Sequence, residues 1–337
     1  MPTTHAQDRA VLSDHGLEID ASTPETWTAL AADVLRGLTA EGEKHLPPKW
    51  FYDAHGSQLF DEICELPEYY LTRAEEALLR SHGAELAAAF PAQELVELGS
   101  GSSTKTPLLL EPLLATGHLQ RYVPVDVSPS ALAHAEHHLG QRYPDLDIER
   151  RILDFTTQLS HLGHRRGGGR LIAVLGSTIG NLEPVEVQAF LEAVRAQLGP
   201  RDAVLLGVDL VKDVATLEAA YNDSAGVTAE FNRNVLRVIN RELDADFDAE
   251  AFDHESRWNA RYERIETRLR ANGPQRVRIK SLSLDLTFTA GETIFTEISR
   301  KFRRETVAEL YAGAGFSLDA WIAGDSNEYA LALARPS

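Results

Sequence analysis

The sequence predicts an α/β fold in which a parallel β-sheet is covered by helices on both faces. Five short runs are apolar throughout, at residues 94–98 (ELVEL), 122–127 (YVPVDV), 148–153, 171–175 (LIAVL) and 203–208 (AVLLGV), as strands buried on both sides require. Stretches with helical apolar spacing lie between most of them, at 106–115, 129–142 and 184–198, and such alternation is built from right-handed crossovers. From residue 212 to about 301 the alternation stops, and that segment reads as an insertion.

In chain order, MPTTHAQDRAVLSDHG lacks the basic and apolar regions of a secretory signal and reads as part of a short mobile leader, residues 1–20. Residues 24–42 have helical spacing with a proline in the first turn. The stretch PPKWFYDAHGSQLF, 47–60, crowds Trp50, Phe51 and Tyr52 behind two prolines and reads as a loop. A short helix at 57–66 and a longer one at 73–90 follow. The insertion holds a helix-rich, Asn-containing segment and strand-like pieces at 262–269, 277–286 and 293–298. A helix at 305–314, a run at 316–322 and a final strand at 329–334 suit an antiparallel hairpin on the sheet edge. GGG at 167–169 is a turn before a strand, and no internal repeat is found.

The 337 residues suffice for one large domain or two smaller ones, and 43% apolar with 25% charged residues is an ordinary globular composition. No apolar run approaches the roughly 20 residues of a membrane helix, so no membrane association is expected. The single cysteine, Cys64, permits no internal disulfide, which fits a reducing cytoplasm. A net charge of -18 opposes nucleic-acid binding and favours a small substrate. Nothing resembling a coiled coil or an apolar stripe demands a dimer, and a monomer is expected.

The segment ELVELGSGSSTKT puts Gly99 and Gly101 where the first buried strand gives way to a helix. In a doubly wound sheet that turn borders the ligand crevice at the carboxyl ends of the strands, and glycine lets the backbone approach a nucleoside closely. A dinucleotide fold wants G-x-G-x-x-G, but the third position is Thr104. An E-x-G-x-G turn, here Glu97, Gly99 and Gly101, suits S-adenosylmethionine (SAM), which has no pyrophosphate. Asp126 ends the next strand, where a carboxylate can accept from a ribose diol, and Asp154 ends the one after, where an adenine amino group is held. The plainer reading of all five is that they are turn formers.

The strings PPKWFYDAHGSQLFDEI, LPEYYLTRAE, VELGSGSSTKT, LGSTIGNLEP, GVTAEFNRNVLRVINREL and TEISRKF, spanning about 47–302, closely resemble the bacterial histidine Nα-methyltransferases of ergothioneine biosynthesis. The resemblance implies a Rossmann-like, class I SAM-dependent methyltransferase domain at 74–211 and 302–337. It implies a second, α+β substrate-binding domain at 21–73 and 212–301. It further implies SAM as cofactor, L-histidine as substrate, and transfer of three methyl groups to the α-amino nitrogen to give hercynine. Carried over residue by residue, the cofactor falls to Tyr52, Gly99, Gly101, Lys105, Asp126, Asp154 and Phe155. The amino acid falls to Tyr69, Gly176, Asn181, Tyr221, Glu297 and Ser299. Thr267 departs from the family pattern, which has a methionine there beside the imidazole.

Methyl transfer to nitrogen is an in-line displacement, so alignment, an unprotonated amine and support for a cation are the main needs. The tyrosines Tyr52 and Tyr69 are the expected catalytic residues, orienting the nitrogen and passing its proton to water. Aromatic faces stabilise an ammonium by about 0.5–2 kcal/mol per contact. Trp50 and Phe51 are expected to anchor their loop in the core. Glu297 and Ser299 lie two apart in a strand-like run, hence on one face, and together can read both imidazole nitrogens, although such a pair is commonly just a polar sheet face. Asn181 can meet a carboxylate and an amine or merely end a turn, and Tyr221 can end a helix. No metal is expected: His134 and His138 in HAEHH lack the H-E-x-x-H glutamate, and the cluster His164, Arg165 and Arg166 is too short for a nucleic-acid patch. Cys64 is expected in the core. The competing functions are methylation of another amino acid or small amine, a non-catalytic nucleoside-binding module, and a dinucleotide-dependent oxidoreductase.

Overall fold

Apolar runs that bury both faces must lie inside a sheet, and here they share one. The computed structural model describes residues 9–12, 17–20, 25–163, 167–324 and 326–337. The main sheet runs in the order Phe316–Ala323, Tyr329–Pro336, Ala203–Asp209, Arg170–Val174, Glu94–Leu98, Arg121–Asp126 and Asp147–Ile148. Pairing is antiparallel at the final hairpin and its junction with Ala203–Asp209, and parallel elsewhere. Every residue of Glu94–Leu98, Arg170–Val174 and Ala203–Asp209 is buried. Val96, Val123, Ile172, Val204 and Leu206 form one core with Phe190, Leu191 and Val194 from the helix Pro184–Ala196 and Tyr311 from the helix Arg304–Gly313.

The strand expected at 148–153 is instead two short pieces, Asp147–Ile148 and Arg151–Ile152, each paired with Arg121–Asp126. Its residues have no second face to bury: Ile152 is exposed, and Arg150 and Arg151 pair with Glu136 and Glu149. The helices start where their caps dictate. Ser128 Oγ accepts from the Ala131 amide at 3.4 Å ahead of Pro129–Arg142, and Glu183 and Glu186 form a reciprocal capping box ahead of Pro184–Ala196.

The chain divides into two compact units. The larger comprises Ala54–Thr228, Ser256–Glu266 and Ile298–Ser337; the smaller comprises Ala229–Glu255, Thr267–Glu297 and the segment ending at Asp53. Residues 54–73, 212–228, 256–266 and 298–301, read from sequence with the second domain, therefore belong to the larger unit. For residues 70–73 the reason is the helix Tyr70–Ala89, which they begin and which buries Leu71, Leu78, Leu79 and Leu86. Of the stretch read as a leader, 1–8 and 13–16 lie outside the described residues, and Arg9–Leu12 pairs antiparallel with Leu17–Asp20. The cluster at 164–166 also lies outside the described residues.

A second sheet runs in the order Phe252–Asn259, Arg264–Ala271, Thr293–Arg300 and Lys44–His45. The Phe252–Asn259 strand was not anticipated, because FDHESRWN has no apolar run. The single strand expected at 277–286 is a hairpin, Gln275–Ile279 with Leu284–Phe288, turned by Ser283 at a φ of 51°. Among the described residues no helix is long and apolar enough to cross a membrane.

Gly207, inside a central strand, is required by its neighbour. A Cβ there would collide with the Glu75 carboxylate and lie 2.8 Å from the Tyr329 hydroxyl. Gly207→Ala is expected to destabilise the fold by about 1–3 kcal/mol, read as a lower urea midpoint; an unchanged midpoint would show that the site can yield.

Candidate active site

The order of the main sheet reverses between Glu94–Leu98 and Arg170–Val174, and the ligand crevice of such a sheet lies beyond the carboxyl ends of those strands. Both following loops use left-handed backbone, at Gly99 (φ 72°), Gly101 (52°) and Ser103 (56°) in one and Gly176 (71°) and Ser177 (57°) in the other. Gly99 also lies beneath an aromatic ring, since a Cβ there would sit 3.5 Å from Phe155 Cε1.

Carboxylates hold the first loop in place. Asp126 accepts from the amides of Gly101 and Ser128, each at 2.9 Å, through different oxygens, which leaves acceptor capacity on both. Burial raises its pKa despite those amides. Glu97 is buried and accepts from the hydroxyls of Tyr122 at 2.6 Å and Thr106 at 2.8 Å, so it braces the far end of the loop. Burial pushes its pKa up as well. Asp154 accepts from the Thr156 amide at 3.0 Å, and Phe155 packs edge-on against Phe190.

The second loop is tied to the first by Glu75, a residue the sequence reading passed over. Its fully buried carboxylate accepts from the Gly176 amide at 2.8 Å, from the Tyr329 hydroxyl at 2.7 Å and from Lys105. Burial alone would depress Lys105, but Glu75 outweighs it and holds the ammonium above its usual pKa. The signal was present in the sequence: Glu75 falls on the same helical stripe as Leu71, Leu78 and Leu86.

Beyond the strand Ala203–Asp209 lies a further polar cluster. Tyr69 and Tyr221 meet edge to face at 6.1 Å, and Tyr221 Oη lies 2.7 Å from Ser299 Oγ. Lys301, fully buried, donates to both of those oxygens at 2.8 Å and to Asp209 at 2.8 Å. Asp209 also accepts from the Tyr70 hydroxyl at 2.8 Å and from Lys212. Burial, aided by the Lys301 charge, outweighs Asp209 and lowers Lys212 to about 8. Neither Asp209 nor Lys301 was singled out from sequence, although a lone acid closing the apolar run AVLLGVD is a visible signal. Asn181 ends the short helical turn Thr178–Asn181.

Three of the expected site residues fall in the smaller unit. There Phe51 is buried against Phe231 at 4.9 Å and Trp50 donates to Asp33 at 3.0 Å, so both anchor their loop, while the Tyr52 ring meets Phe231 edge-on at 5.2 Å. Thr267 is buried, and its carbonyl accepts from the Thr296 hydroxyl at 3.1 Å. Glu297 is partly buried on Thr293–Arg300. Cys64, expected in the core, is only partly buried. His134 and His138 stack on an exposed helix face, and among the described residues no group of three or more His, Cys, Asp or Glu could hold a metal.

Residues 30–336 match the family described as histidine-specific methyltransferase, SAM-dependent. The chain belongs to that family. It is 50% identical over 306 residues to the histidine N-alpha-methyltransferase of Mycobacterium tuberculosis, covering 91% of this chain and 94% of that one. Identity to the protein of the same name from Mycolicibacterium smegmatis is 49%, with the same coverage. The ergothioneine biosynthesis protein 1 of Neurospora crassa is 32% identical over 309 residues, covering 88% of this chain and 34% of that protein.

As a SAM-dependent methyltransferase the chain needs a nucleoside cradle, and its residues fit one. The glycine turn opens beneath Phe155, and Asp126 keeps acceptor capacity beside it. Asp126→Ala should weaken S-adenosylhomocysteine binding by about tenfold or more, as loss of charge-assisted hydrogen bonds implies; unchanged calorimetric affinity would remove Asp126 from the cradle. A second expectation concerns Lys212. Between pH 8 and its ordinary value near 10.4 the unfolded chain binds a proton there that the folded protein does not, so its contribution to stability rises with pH across that window. The stability difference between the parent and Lys212→Met, from urea unfolding, should therefore grow in the parent's favour from pH 8 to 10; a flat or falling difference contradicts the assignment.

Proposed function

We propose that this methyltransferase trimethylates the α-amino group of L-histidine, giving hercynine, the first step of ergothioneine biosynthesis. The observation that carries the proposal is the half-identity, over nearly the whole length of both chains, to proteins named for that activity. The negative net charge also favours a small zwitterion over nucleic acid, and we propose a cytoplasmic monomer.

Gly99, Gly101, Lys105, Asp126, Asp154 and Phe155, with Tyr52, would hold the donor, which when bound supplies an electrophilic methyl group on a sulfonium. The chain's own tasks are to position the amine and to dispose of its protons. An α-ammonium must lose a proton before each transfer, since a protonated nitrogen has no lone pair to attack with. Tyr69, buried and edge-on to Tyr221, is assigned to orient that nitrogen and pass its proton towards water, together with Tyr52. With each methyl added the nitrogen loses a donor, and aromatic surface takes over its stabilisation. Asn181 is assigned to the carboxylate and amine, and Gly176, Tyr221 and Thr267 complete the amino-acid set. Ser299 and Glu297 project from one face of the Thr293–Arg300 strand and are assigned to the two imidazole nitrogens.

Incubation with SAM and L-histidine should give mono-, di- and trimethylated α-amino products by mass spectrometry. Ring methylation, or no product alongside saturable binding of the donor, would overturn the proposal. Tyr69→Phe should lower kcat by about 10²-fold while leaving KM for histidine within a few-fold; an unaltered kcat would exclude its hydroxyl from proton transfer.

A further inference from the structure

A lysine has three N–H donors and no acceptor. Lys301 spends all three, on Asp209 Oδ2, Tyr221 Oη and Ser299 Oγ, each at 2.8 Å, with its side chain and that of Asp209 fully buried. The two hydroxyls also lie 2.7 Å from each other, so one proton sits between them. The phenol is the more acidic of the two and hence the better donor, so the shared proton is assigned to Tyr221. Ser299 Oγ then accepts from both Lys301 and Tyr221. Its two lone pairs are filled, and its own proton is all that remains to offer.

We infer that Lys301 is a positioning residue for substrate protonation: by filling the acceptor sites of Ser299 and Tyr221 it makes Ser299 an obligatory donor, so the site accepts a neutral imidazole and rejects imidazolium. The inference rests on the proposed assignment of Ser299 to the ring. Stability alone is a weak reason for the buried pair, because desolvating an ammonium and a carboxylate commonly offsets their attraction. A fixed hydrogen-bond direction is something an apolar pair of the same volume could not supply.

The titratable groups facing the triangle are few. Asp209 and Tyr221 touch Lys301, Tyr70 and Lys212 bond to Asp209 from the other side, Tyr69 meets the Tyr221 ring, and Glu328 acts on Tyr70 and Lys212. Glu297, two residues from Ser299 on the same strand, is the charged group assigned to the ring's other nitrogen, where it accepts from the N–H of a neutral imidazole. No histidine is among these described groups, so a pH dependence near 6.5 belongs to the substrate ring.

The test is calorimetric titration of L-histidine into the protein with S-adenosylhomocysteine present, from pH 5 to 8. In the parent, Kd should rise about tenfold per pH unit below the ring's pKa of about 6.5. Lys301→Met should flatten that rise, because Ser299 is then free to turn and accept. Lys301→Gln, which can donate but carries no charge, should preserve it. A flat profile in the parent overturns the inference whatever the variants do, and a flat profile in Lys301→Gln overturns it by showing that charge rather than donation acts. Ser299→Ala separates the two layers. If it leaves affinity and profile unchanged, the assignment of Ser299 to the ring is wrong. If it weakens binding while Lys301→Met keeps the parent profile, the assignment stands and the role of Lys301 falls.

Discussion

The larger unit is organised around one buried carboxylate. Glu75 reaches from the helix Tyr70–Ala89 to the Gly176 amide, the Lys105 ammonium and the Tyr329 hydroxyl, and so joins a helix, both loops at the sheet reversal and the closing antiparallel strand. An isolated buried carboxylate would be strongly unfavourable, so each of these partners is required once the glutamate is inside. Gly207 makes the room, since any side chain at that point of the central strand would occupy the space of the carboxylate.

That arrangement explains how the loops beyond the strands can be shaped for a ligand rather than for packing. Gly99, Gly101, Ser103, Gly176 and Ser177 all adopt left-handed backbone, which apolar burial would not hold in place. Buried acids do so instead: Glu97 through Thr106 and Tyr122, Asp126 through the Gly101 amide, and Glu75 through Gly176. In a low-dielectric setting such charge-assisted bonds are stiff and directional. A methyl-transfer site needs that stiffness, because alignment of donor and amine accounts for much of the rate.

The cluster around Asp209 follows the same logic with a different outcome. Tyr70, Lys212 and Lys301 surround one buried acid, and Lys301 extends the network to Tyr221 and Ser299. The hydroxyls assigned to the amino acid thus have their orientations set from behind by a charge in no need of contact with the substrate. The two lysines also differ in acidity: burial prevails over Asp209 at Lys212, which falls to about 8, whereas at Lys301 burial is outweighed by Asp209 and Tyr221, which hold it above its ordinary range.

Much of this was legible in the linear sequence. Runs apolar on both faces located the central strands, helical apolar spacing located the main helices, and the glycines of ELVELGSGSSTKT located the left-handed turn after Glu94–Leu98, because each pattern is local and repeats at the period of its own element. The break of the run at 148–153 into Asp147–Ile148 and Arg151–Ile152, the polar strand Phe252–Asn259 and the allocation of residues 54–73, 212–228, 256–266 and 298–301 were not legible. Their placement depends on neighbours brought up by the rest of the chain. The same holds for the buried acids. Sequence places Glu75 on an apolar stripe and Asp209 at the end of an apolar run, but their partners Tyr329 and Lys301 lie far along the chain. Only tertiary structure decides such pairings, since a charge can be buried only where folding has already delivered a matching donor.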